Sequence, residues 1–325
     1  MTIEKLPSGK YRIREVQNGK RVSVTVPFKP NKKDAFFIIQ DKLNHKTADI
    51  TFGEACEKYT EIKSHVLSQS TIRGYKAIMR NLPADFMNKD LSEMDNITVQ
   101  AMINDHSANH APKTTINVNG FVVGVLKFFN PDISLHIQLP KKPKKEAYNP
   151  TVDDVRLLLD YSKKSEYYVP IFLASLSLRL SEICALGIDD IDFDTNALTI
   201  NKALIYTVNR EWVIKPTPKS DASNRTIIIP AELAEAIKEQ GYVFNHRPAS
   251  IDRYLNRTLP KLGIPYFSIH QMRHFFASYA HDLGYSDAVI QSVGGWNTDH
   301  VMKSVYRYAM KESDAKKAMA HDFSF

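Results

Sequence analysis

The sequence predicts a multidomain α+β protein that is mainly helical and carries small β-sheets. Its 325 residues, of which 43% are hydrophobic, are enough for two or three packed domains. An early segment alternates apolar and polar residues with the two-residue period of strands, and later segments repeat apolar residues at helical spacing. We expect four parts: a module at 1–46, a helical domain at 49–138, a linker at 139–147 and a mixed α/β domain at 148–325.

The module at 1–46 is predicted to form a three-stranded sheet covered by one helix. Apolar and polar residues alternate through 10–26 around Asn18 and Gly19, a pair that favours a hairpin turn because both residues tolerate positive φ. Helical spacing over 31–43 predicts the covering helix. Five basic side chains are left for phosphate groups or simply for water. They are Lys10, Arg12, Arg14, Lys20 and Arg21.

The domain at 49–138 shows helical periodicity throughout. One predicted helix begins at Ser70 and carries Ile72 and Tyr75 on its apolar face. Two prolines then interrupt a charged run at 140–145, which suits neither a helix nor a sheet interior and therefore predicts an interdomain linker. The lysines of this linker can form a solvated tether, contact a phosphate backbone, or do both. They are Lys141, Lys142, Lys144 and Lys145.

The domain at 148–325 is predicted to be mostly helical with a strand-rich insert. Its first helix starts with a capping-box-like sequence that begins at Thr151. The insert predicts a hairpin made from 197–206 and 210–214, followed by a third strand at 225–230.

Composition narrows the class of protein. Lys and Arg number 43 against 36 Asp and Glu, so the net charge of +7 favours a polyanionic partner. Cys56 and Cys184 lie in apolar, helix-like stretches, so we expect neither a disulfide framework nor a cysteine-based zinc site. The sequence shows no apolar signal core at its start and no run of about 18 uncharged apolar residues. We therefore expect a cytoplasmic protein that does not span a membrane.

Two motifs place cations where apolar helices are expected. The stretch 169–188 is so apolar that it predicts a core helix, yet it contains Arg179 and, three residues later, Glu182. A buried guanidinium needs an anion, and a local salt bridge between these two residues is the simplest solution. A second apolar helix places His270 and Arg273 one turn apart.

A third group of residues follows in the last part of the chain. His274 lies near the face of the second cation, either as a packed residue or as a support for the imidazole before it. A predicted helix breaks at Gly294 and Gly295 and presents Trp296, and Tyr306 comes ten residues later. Because most tyrosines are core residues, only the complete set in this order supports a catalytic role.

In their order and separation, these motifs resemble the tyrosine recombinase family, also called the phage integrase family. The likeness is closest at 179–186 (RLSEICAL), 270–284 (HQMRHFFASYAHDLG) and 294–308 (GGWNTDHVMKSVYRY). By segment order it extends over the whole chain. It implies that the three predicted domains are, in turn, an arm-site DNA-binding module, a SAM-like helical core-binding domain and the catalytic domain.

The resemblance implies a metal-independent reaction on DNA that uses no cofactor. Arg179 and Arg273 would hold the non-bridging oxygens of the scissile phosphate, because a guanidinium is permanently charged and bonds two oxygens at once. Tyr306 would attack the phosphorus and form a 3′-phosphotyrosyl bond, and His270 would transfer its proton. Glu182 would orient the first arginine.

Three of these assignments keep an alternative. The family uses a general-acid lysine in a turn between two strands, which best matches Lys219. The turn is long, so Lys215 is an alternative, and either lysine can instead be a solvated hairpin residue. Trp296 stands where many members have histidine, so it contacts the phosphate, walls the pocket or simply packs. Tyr308 is the rival nucleophile, although the sequence around Tyr306 fits the family better.

The resemblance further implies a site-specific recombinase that integrates and excises a mobile element. Its partners would be double-stranded DNA at attachment-type sites and further copies of the chain, as a homotetramer on DNA and a monomer or weak oligomer when free. The need for an accessory DNA-bending or directionality protein is left open. Two other hypotheses remain: a catalytically inactive DNA-binding regulator with the same fold, and a structural helical protein whose motifs match by chance.

Overall fold

The computed structural model describes residues 1–17, 20–44, 50–143, 148–216, 224–296 and 298. The chain forms two compact units, Met1–Pro143 and Lys144–Phe325. None of the helices in the described ranges has both the length and the hydropathy of a bilayer-spanning segment. The division between the units falls inside the stretch 139–147 that the sequence predicts as a linker.

The first unit begins with a small antiparallel sheet and a helix. In sheet order its strands are β1 (Thr2–Lys5), β2 (Tyr11–Gln17) and β3 (Lys20–Val26), and the helix that follows is α1 (Lys32–Asn44). Ile13 of β2 lies opposite Ile3 of β1 and Val24 of β3. It is fully buried in a small apolar core with Ile39 of α1. The predicted alternation therefore buries one face of the sheet under the helix, while the predicted turn at 18–19 lies outside the described residues.

A helical domain completes the first unit. Its elements are α2 (Phe52–Ser64), α3 (Gln69–Asn81), α4 (Ala84–Met87), a 3-10 turn (Leu91–Glu93), α5 (Asn96–Asn109) and α6 (Pro112–Phe129). Phe52 of α2 and Val122 of α6 are fully buried in its apolar core. Ser68 caps α3, because its hydroxyl accepts a hydrogen bond from the backbone N–H of Thr71. The prediction placed the cap at Ser70 and was wrong by two residues, since either serine has the side chain that a cap requires.

The second unit packs helices and two small sheets around one apolar core. Its elements are α7 (Val152–Ser162), α8 (Tyr168–Ser175), α9 (Leu180–Ile183), β4 (Ile191–Asp192), β5 (Ala197–Ile200), β6 (Lys202–Tyr206), β7 (Trp212–Pro216), β8 (Arg225–Ile228), α10 (Ala231–Gln240), α11 (Pro248–Thr258), α12 (Ile269–Asp282) and α13 (Asp287–Gly294). The capping box predicted at Thr151 is present, since Asp154 accepts from the Thr151 N–H at 2.8 Å and donates its own N–H to the Thr151 hydroxyl. Helix α8 contacts α7, α10 and α12, so it lies at the centre of this core.

The predicted core helix at 169–188 is interrupted, and this break shapes the site described below. Helices α8 and α9 are separate, and between them Ser177 takes a left-handed backbone conformation with a φ of 74°. The N–H of Leu178 bonds back to the carbonyl of Leu173, which closes the end of α8. The prediction of one helix was wrong because hydrophobicity reports burial and does not report whether a helix is continuous.

The predicted strand at 197–206 is likewise two strands in two sheets. Strand β5 lies between β4 and β8, whereas β6 pairs with β7 in a separate hairpin. Leu198 and Ile200 of β5 are buried in the core, while every residue of β6 is partly exposed. The chain changes sheets at Asn201. The sequence alternation is compatible with both strands, but it does not say which partner each one pairs with.

Candidate active site

Arg179 lies at the break between α8 and α9, where it is the N-cap residue of α9. Its backbone N–H donates to Oε2 of Glu182 at 2.9 Å, and its Nη1 donates to Oε1 of the same carboxylate at 2.6 Å. Its Nη2 donates to the carbonyl of Gly295 at 2.7 Å, across 116 positions of the chain. The local salt bridge expected from the sequence is therefore present. The Arg179 side chain is 37% exposed, which leaves the guanidinium within reach of a ligand.

Arg273 lies on α12, one turn after His270, as its spacing predicts. It is buried, and its Nη1 donates to the carbonyl of Ser177. The break after α8 therefore serves both arginines: the carbonyl of Ser177 accepts from Arg273, and Arg179 follows two residues later in the chain. On its other side, the guanidinium carbon of Arg273 lies 4.5 Å from the ring centroid of Trp296, a cation–π contact.

Trp296 is buried just beyond the end of α13. Gly295 caps the helix in a left-handed conformation with a φ of 67°. A Cβ at Gly294 would overlap the indole ring, so the ring can lie where it does only because this residue is glycine. The same short segment contacts both arginines: the Gly295 carbonyl accepts a hydrogen bond from Arg179, and the Trp296 ring packs on the guanidinium of Arg273. It therefore brings together two arginines that are distant in sequence.

Arg225, which the sequence does not single out as a site residue, completes the cluster. It opens β8, and its side chain is only 6% exposed. Its Nη2 donates to Oε2 of Glu182 at 3.0 Å, and its Nε donates to the carbonyl of Val293 in α13 at 2.9 Å. The sequence did hold a signal, because the two-residue period of the strand puts Arg225 in phase with Ile227 and Ile229, which are both buried. A charged residue on the buried face of a strand needs a partner of opposite charge or a hydrogen-bond acceptor.

The described part of this cluster carries unbalanced positive charge. Three guanidiniums, from Arg179, Arg225 and Arg273, surround the single carboxylate of Glu182, and three positive charges against one negative leave two uncompensated. Burial, helped by the charge of Arg179, lowers the pKa of Arg273 to about 9, so this side chain is still protonated at neutral pH. Burial alone would raise the pKa of Glu182, but the hydrogen bond and charge of Arg225, followed by those of Arg179, outweigh burial and lower it. An anion is the ligand that this arrangement favours.

His270 is exposed beside this cluster, with His274 one turn further along α12. The two rings meet edge to face, with their centroids 5.3 Å apart. Desolvation by the walls of the site, and then the charges of Arg273 and Arg179, lower the pKa of His270. The pKa of His274 is lowered by burial, and then by the charges of His270 and Arg273. At neutral pH the His270 imidazole is therefore uncharged and can accept a proton.

The remaining predicted site residues divide into two groups. One group lies outside the described residues: Lys144, Lys145, Lys219, Tyr306 and Tyr308. In the other group, Lys215 is exposed on β7, Arg12 is half-buried, and Lys10, Arg14, Arg21, Lys141 and Lys142 are exposed; Lys20 is described only as part of the backbone of β3.

A family model matches this chain. The model of the phage integrase family matches residues 150–313, which include the segment from Arg179 to Trp296 that builds the cation cluster. The chain belongs to the phage integrase family, which confirms the resemblance inferred from its motifs. It is accordingly a tyrosine recombinase, an enzyme that transfers DNA strands.

Relatives and solved structures agree with this assignment. The chain is 24% identical to the prophage ps2 probable integrase of Lactococcus lactis subsp. lactis (strain IL1403), over 86% of this chain and 88% of the relative. It is 22% identical to the integrase of Staphylococcus phage L54a, over 85% of this chain and 95% of the relative. The Tn1549 transposon integrase in complex with transposon right end DNA superimposes with a TM-score of 0.69 at 16% identity, over 84% of this chain and all of that one.

A second structure, a lambda integrase tetramer bound to a Holliday junction, superimposes with a TM-score of 0.57 at 14% identity, over 93% of this chain and 94% of that one. At such low identity these two likenesses concern the fold. The chain has the tyrosine recombinase fold, with mixed helices and small antiparallel sheets, as the sequence predicts at this level of detail.

Proposed function

We propose that the chain cuts and rejoins DNA at attachment-type sites through a covalent bond between Tyr306 and the DNA 3′ end. The observation that carries the proposal is the meeting of Arg179 and Arg273 at the segment Gly295–Trp296, with two positive charges left without a counter-charge. A phosphodiester has one negative charge and gains a second as it is attacked. The charge of the cluster matches that of the transition state.

In this mechanism each side chain has a separate task. Arg179 and Arg273 bind the non-bridging oxygens of the scissile phosphate and stabilise the charge that develops there. Tyr306 attacks the phosphorus, and because an ordinary tyrosine has a pKa of about 10, it must lose its proton during the attack. His270, exposed and uncharged at neutral pH, accepts that proton. Lys219 protonates the departing 5′ oxygen, with Lys215 as the alternative donor.

Trp296 and Glu182 support these groups without exchanging protons with the substrate. The indole holds one face of the Arg273 guanidinium, so that its donors point away from the ring. Glu182 binds Arg179 through both its backbone and its side chain and fixes the angle at which that arginine leaves the α8–α9 break. The phosphotyrosyl bond conserves the energy of the phosphodiester, so rejoining needs no other energy source.

Two further regions are proposed to hold the DNA. In the sheet of residues 1–46, Arg12, Arg14 and Arg21 lie on one face, because Arg12 pairs with Thr25 and Arg14 with Ser23 in the register of β2 and β3. The opposite face is covered by α1. The basic face suits a DNA backbone, as expected of an arm-site module, and residues 49–138 are proposed as the core-binding domain. Lys141 and Lys142 in the linker are exposed and are proposed as further contacts with the DNA backbone.

The biological role follows from the kinds of protein that are similar to the chain. Relatives named as a prophage integrase and a phage integrase support integration and excision of a mobile element. The structure of lambda integrase as a tetramer on a Holliday junction supports a homotetramer on DNA for this chain as well. We expect a monomer or weak oligomer in the absence of DNA.

A trapping experiment tests the proposed reaction. The attachment site is identified by sequencing the DNA that flanks the coding region, and a duplex is prepared with a nick near the cleavage position, so that the short leaving strand diffuses away. The wild-type protein is expected to form an adduct with DNA that survives SDS without added magnesium. Tyr306→Phe is expected to form none, whereas the matched variant Tyr308→Phe is expected to react like the wild type.

Two other outcomes of this experiment would overturn the proposed function or the proposed nucleophile. Tight binding of the duplex with no adduct from the wild-type protein would identify a DNA-binding regulator instead of a recombinase. An adduct that persists in Tyr306→Phe and is lost in Tyr308→Phe would move the nucleophile to the later tyrosine.

A further inference from the structure

The mechanism proposed above assigns no task to Arg225, although this residue is part of the cation cluster. Its side chain is only 6% exposed, which leaves little of its surface for a substrate to contact. It makes three hydrogen bonds: Nη2 and Nη1 donate to the two carboxylate oxygens of Glu182 at 3.0 and 3.4 Å, and Nε donates to the carbonyl of Val293 at 2.9 Å. A buried arginine with this set of partners serves other residues of the site.

The first partner shows what Arg225 does for Arg179. Glu182 is almost fully buried and accepts from both arginines. If Arg225 were absent, Arg179 would be the only guanidinium left on this carboxylate among the described residues. The pair would then approach electrical neutrality, and the attraction of Arg179 for a phosphate would weaken. With Arg225 present, the carboxylate is already neutralised and the charge of Arg179 remains available.

The second partner connects Arg225 to the other end of the site. Val293 lies in the last turn of α13, where backbone carbonyls lack partners within the helix and attract cations. Arg225 binds the carbonyl of Val293, and Arg179 binds that of Gly295. Together they fix the helix end that delivers Trp296 onto Arg273.

We propose that Arg225 is a positioning residue for DNA cleavage, which neutralises Glu182 so that Arg179 stays available to the scissile phosphate and which anchors the end of α13 beside Arg273. This inference rests on the proposed function, because it assigns the phosphate to the two arginines. Arg225 itself does not touch the reacting atoms.

The first measurement separates binding from chemistry. Single-turnover adduct formation on the nicked duplex is expected to slow about 100-fold in Arg225→Gln, comparable to loss of one preorganised donor in other active sites. Arg225→Lys keeps the charge but loses the forked geometry, so an intermediate loss of about tenfold is expected. The Kd for the intact duplex is expected to change by less than about threefold, because phosphate contacts along the whole site dominate affinity.

Arg156→Gln is the matched control. It removes the same charge from an exposed position of α7, where Arg156 pairs with Asp153 at 3.7 Å. Its cleavage rate is expected to equal that of the wild type within about twofold, since exposed ion pairs contribute little.

The second measurement asks whether Arg225 acts through Arg179. Replacing the scissile phosphate with a neutral methylphosphonate removes the charge that Arg179 neutralises. On the phosphate substrate, Arg225→Gln is slower than the wild type by a certain factor. On the methylphosphonate substrate this factor is expected to be about tenfold smaller, and the factor for Arg179→Gln is expected to shrink in the same way. A purely structural defect would leave the factor unchanged between the two substrates, and that result would overturn the proposal.

A double variant covers the case in which Arg225→Gln folds poorly. In Glu182→Gln combined with Arg225→Gln, no buried carboxylate remains to hold Arg179, so the combined loss of rate is expected to be at least tenfold smaller than the product of the single losses. A combined loss equal to that product would contradict the proposal. If the wild-type protein itself forms no adduct, the proposed function fails; if it does and the Arg225 variants react normally, only this inference fails.

Discussion

The helical core of the first unit and the site of the second unit bury polar groups of different kinds. Within the described ranges, the buried polar side chains of the first unit are Thr60, His106 and Thr115, none of which carries a formal charge when the histidine is neutral. The second unit buries Glu182, Arg225 and Arg273. Burying an ion costs several kcal/mol even when it is paired, whereas a neutral hydrogen-bonded pair costs much less.

The difference shows where the chain accepts a cost in stability. In the first unit, Nδ1 of His106 lies 3.0 Å from the Thr115 hydroxyl, so both groups are satisfied by a neutral hydrogen bond. In the second unit, three guanidiniums remain close together with one carboxylate between them. Such an arrangement lowers the stability of the protein but increases its affinity for an anion. This exchange is typical of a functional site.

The largest expected effect is that of Arg273→Met. Loss of one cation from the phosphate site is expected to slow DNA cleavage by about 10²–10³-fold. The same change is expected to raise the free energy of unfolding by about 1–3 kcal/mol, because it removes a desolvated charge next to other guanidiniums. Urea unfolding followed by tryptophan fluorescence measures the second effect, since both tryptophans, Trp212 and Trp296, lie in the second unit. A variant that is both less stable and fully active would contradict the comparison.

The next effect comes from removing the central anion. Glu182→Gln is expected to lower the free energy of unfolding by about 3–5 kcal/mol, because Arg225 would keep a buried charge without its counter-charge. The matched change in the first unit is Thr115→Val, which leaves His106 without its hydrogen-bond partner and is expected to cost about 1–3 kcal/mol. Equal losses in the two variants, measured by urea unfolding followed by circular dichroism, would mean that charge is not what distinguishes the two regions.

A smaller effect is expected from acid. Burial, and then the proximity of His110, whose ring stacks at 3.9 Å, lower the pKa of His106 in the folded protein. The unfolded chain therefore binds a proton more readily, so stability falls as the pH decreases below about 6.5, by at most ~1.4 kcal/mol per pH unit for one histidine.

His106→Gln isolates this contribution from those of His270 and His274, whose pKa values are also lowered. Between pH values near 7.5 and 5.5, the variant is expected to lose less stability than the wild type, because it has no imidazole to protonate at this position. An identical loss in both proteins would show that acid acts elsewhere.

The smallest effect is expected at the helix break. Ser177 is fully buried, its φ is 74°, and its hydroxyl has no hydrogen-bond partner among the described residues. Ser177→Gly is expected to raise the free energy of unfolding by about 1 kcal/mol, because glycine adopts this conformation without strain and removes the unpaired hydroxyl. The backbone carbonyl that binds Arg273 is retained, so cleavage is expected to stay within about twofold of the wild type. A large loss of cleavage in this variant would assign the hydroxyl a role of its own.

Local patterns were sufficient for much of the fold and for part of the site. The sheet of the first unit, the capping box at Thr151 and the helix carrying His270 and Arg273 all follow from residue spacing within short stretches of the chain. The pairing of Arg179 with Glu182 could be predicted for the same reason, since the two residues are three positions apart. The change of sheet between β5 and β6 could not, because strand partners lie far away in sequence.

The sequence by itself determined which chemical groups the protein has and in what order, and with them its family. Only the tertiary structure decided that the apolar stretch around Arg179 breaks at Ser177, that Arg225 shares Glu182 with Arg179, and that Arg273 stacks on Trp296. The physical reason is that hydrogen bonding and periodicity act along the chain over a few residues, whereas a buried charge is satisfied by whatever partners the packing of distant segments brings to it.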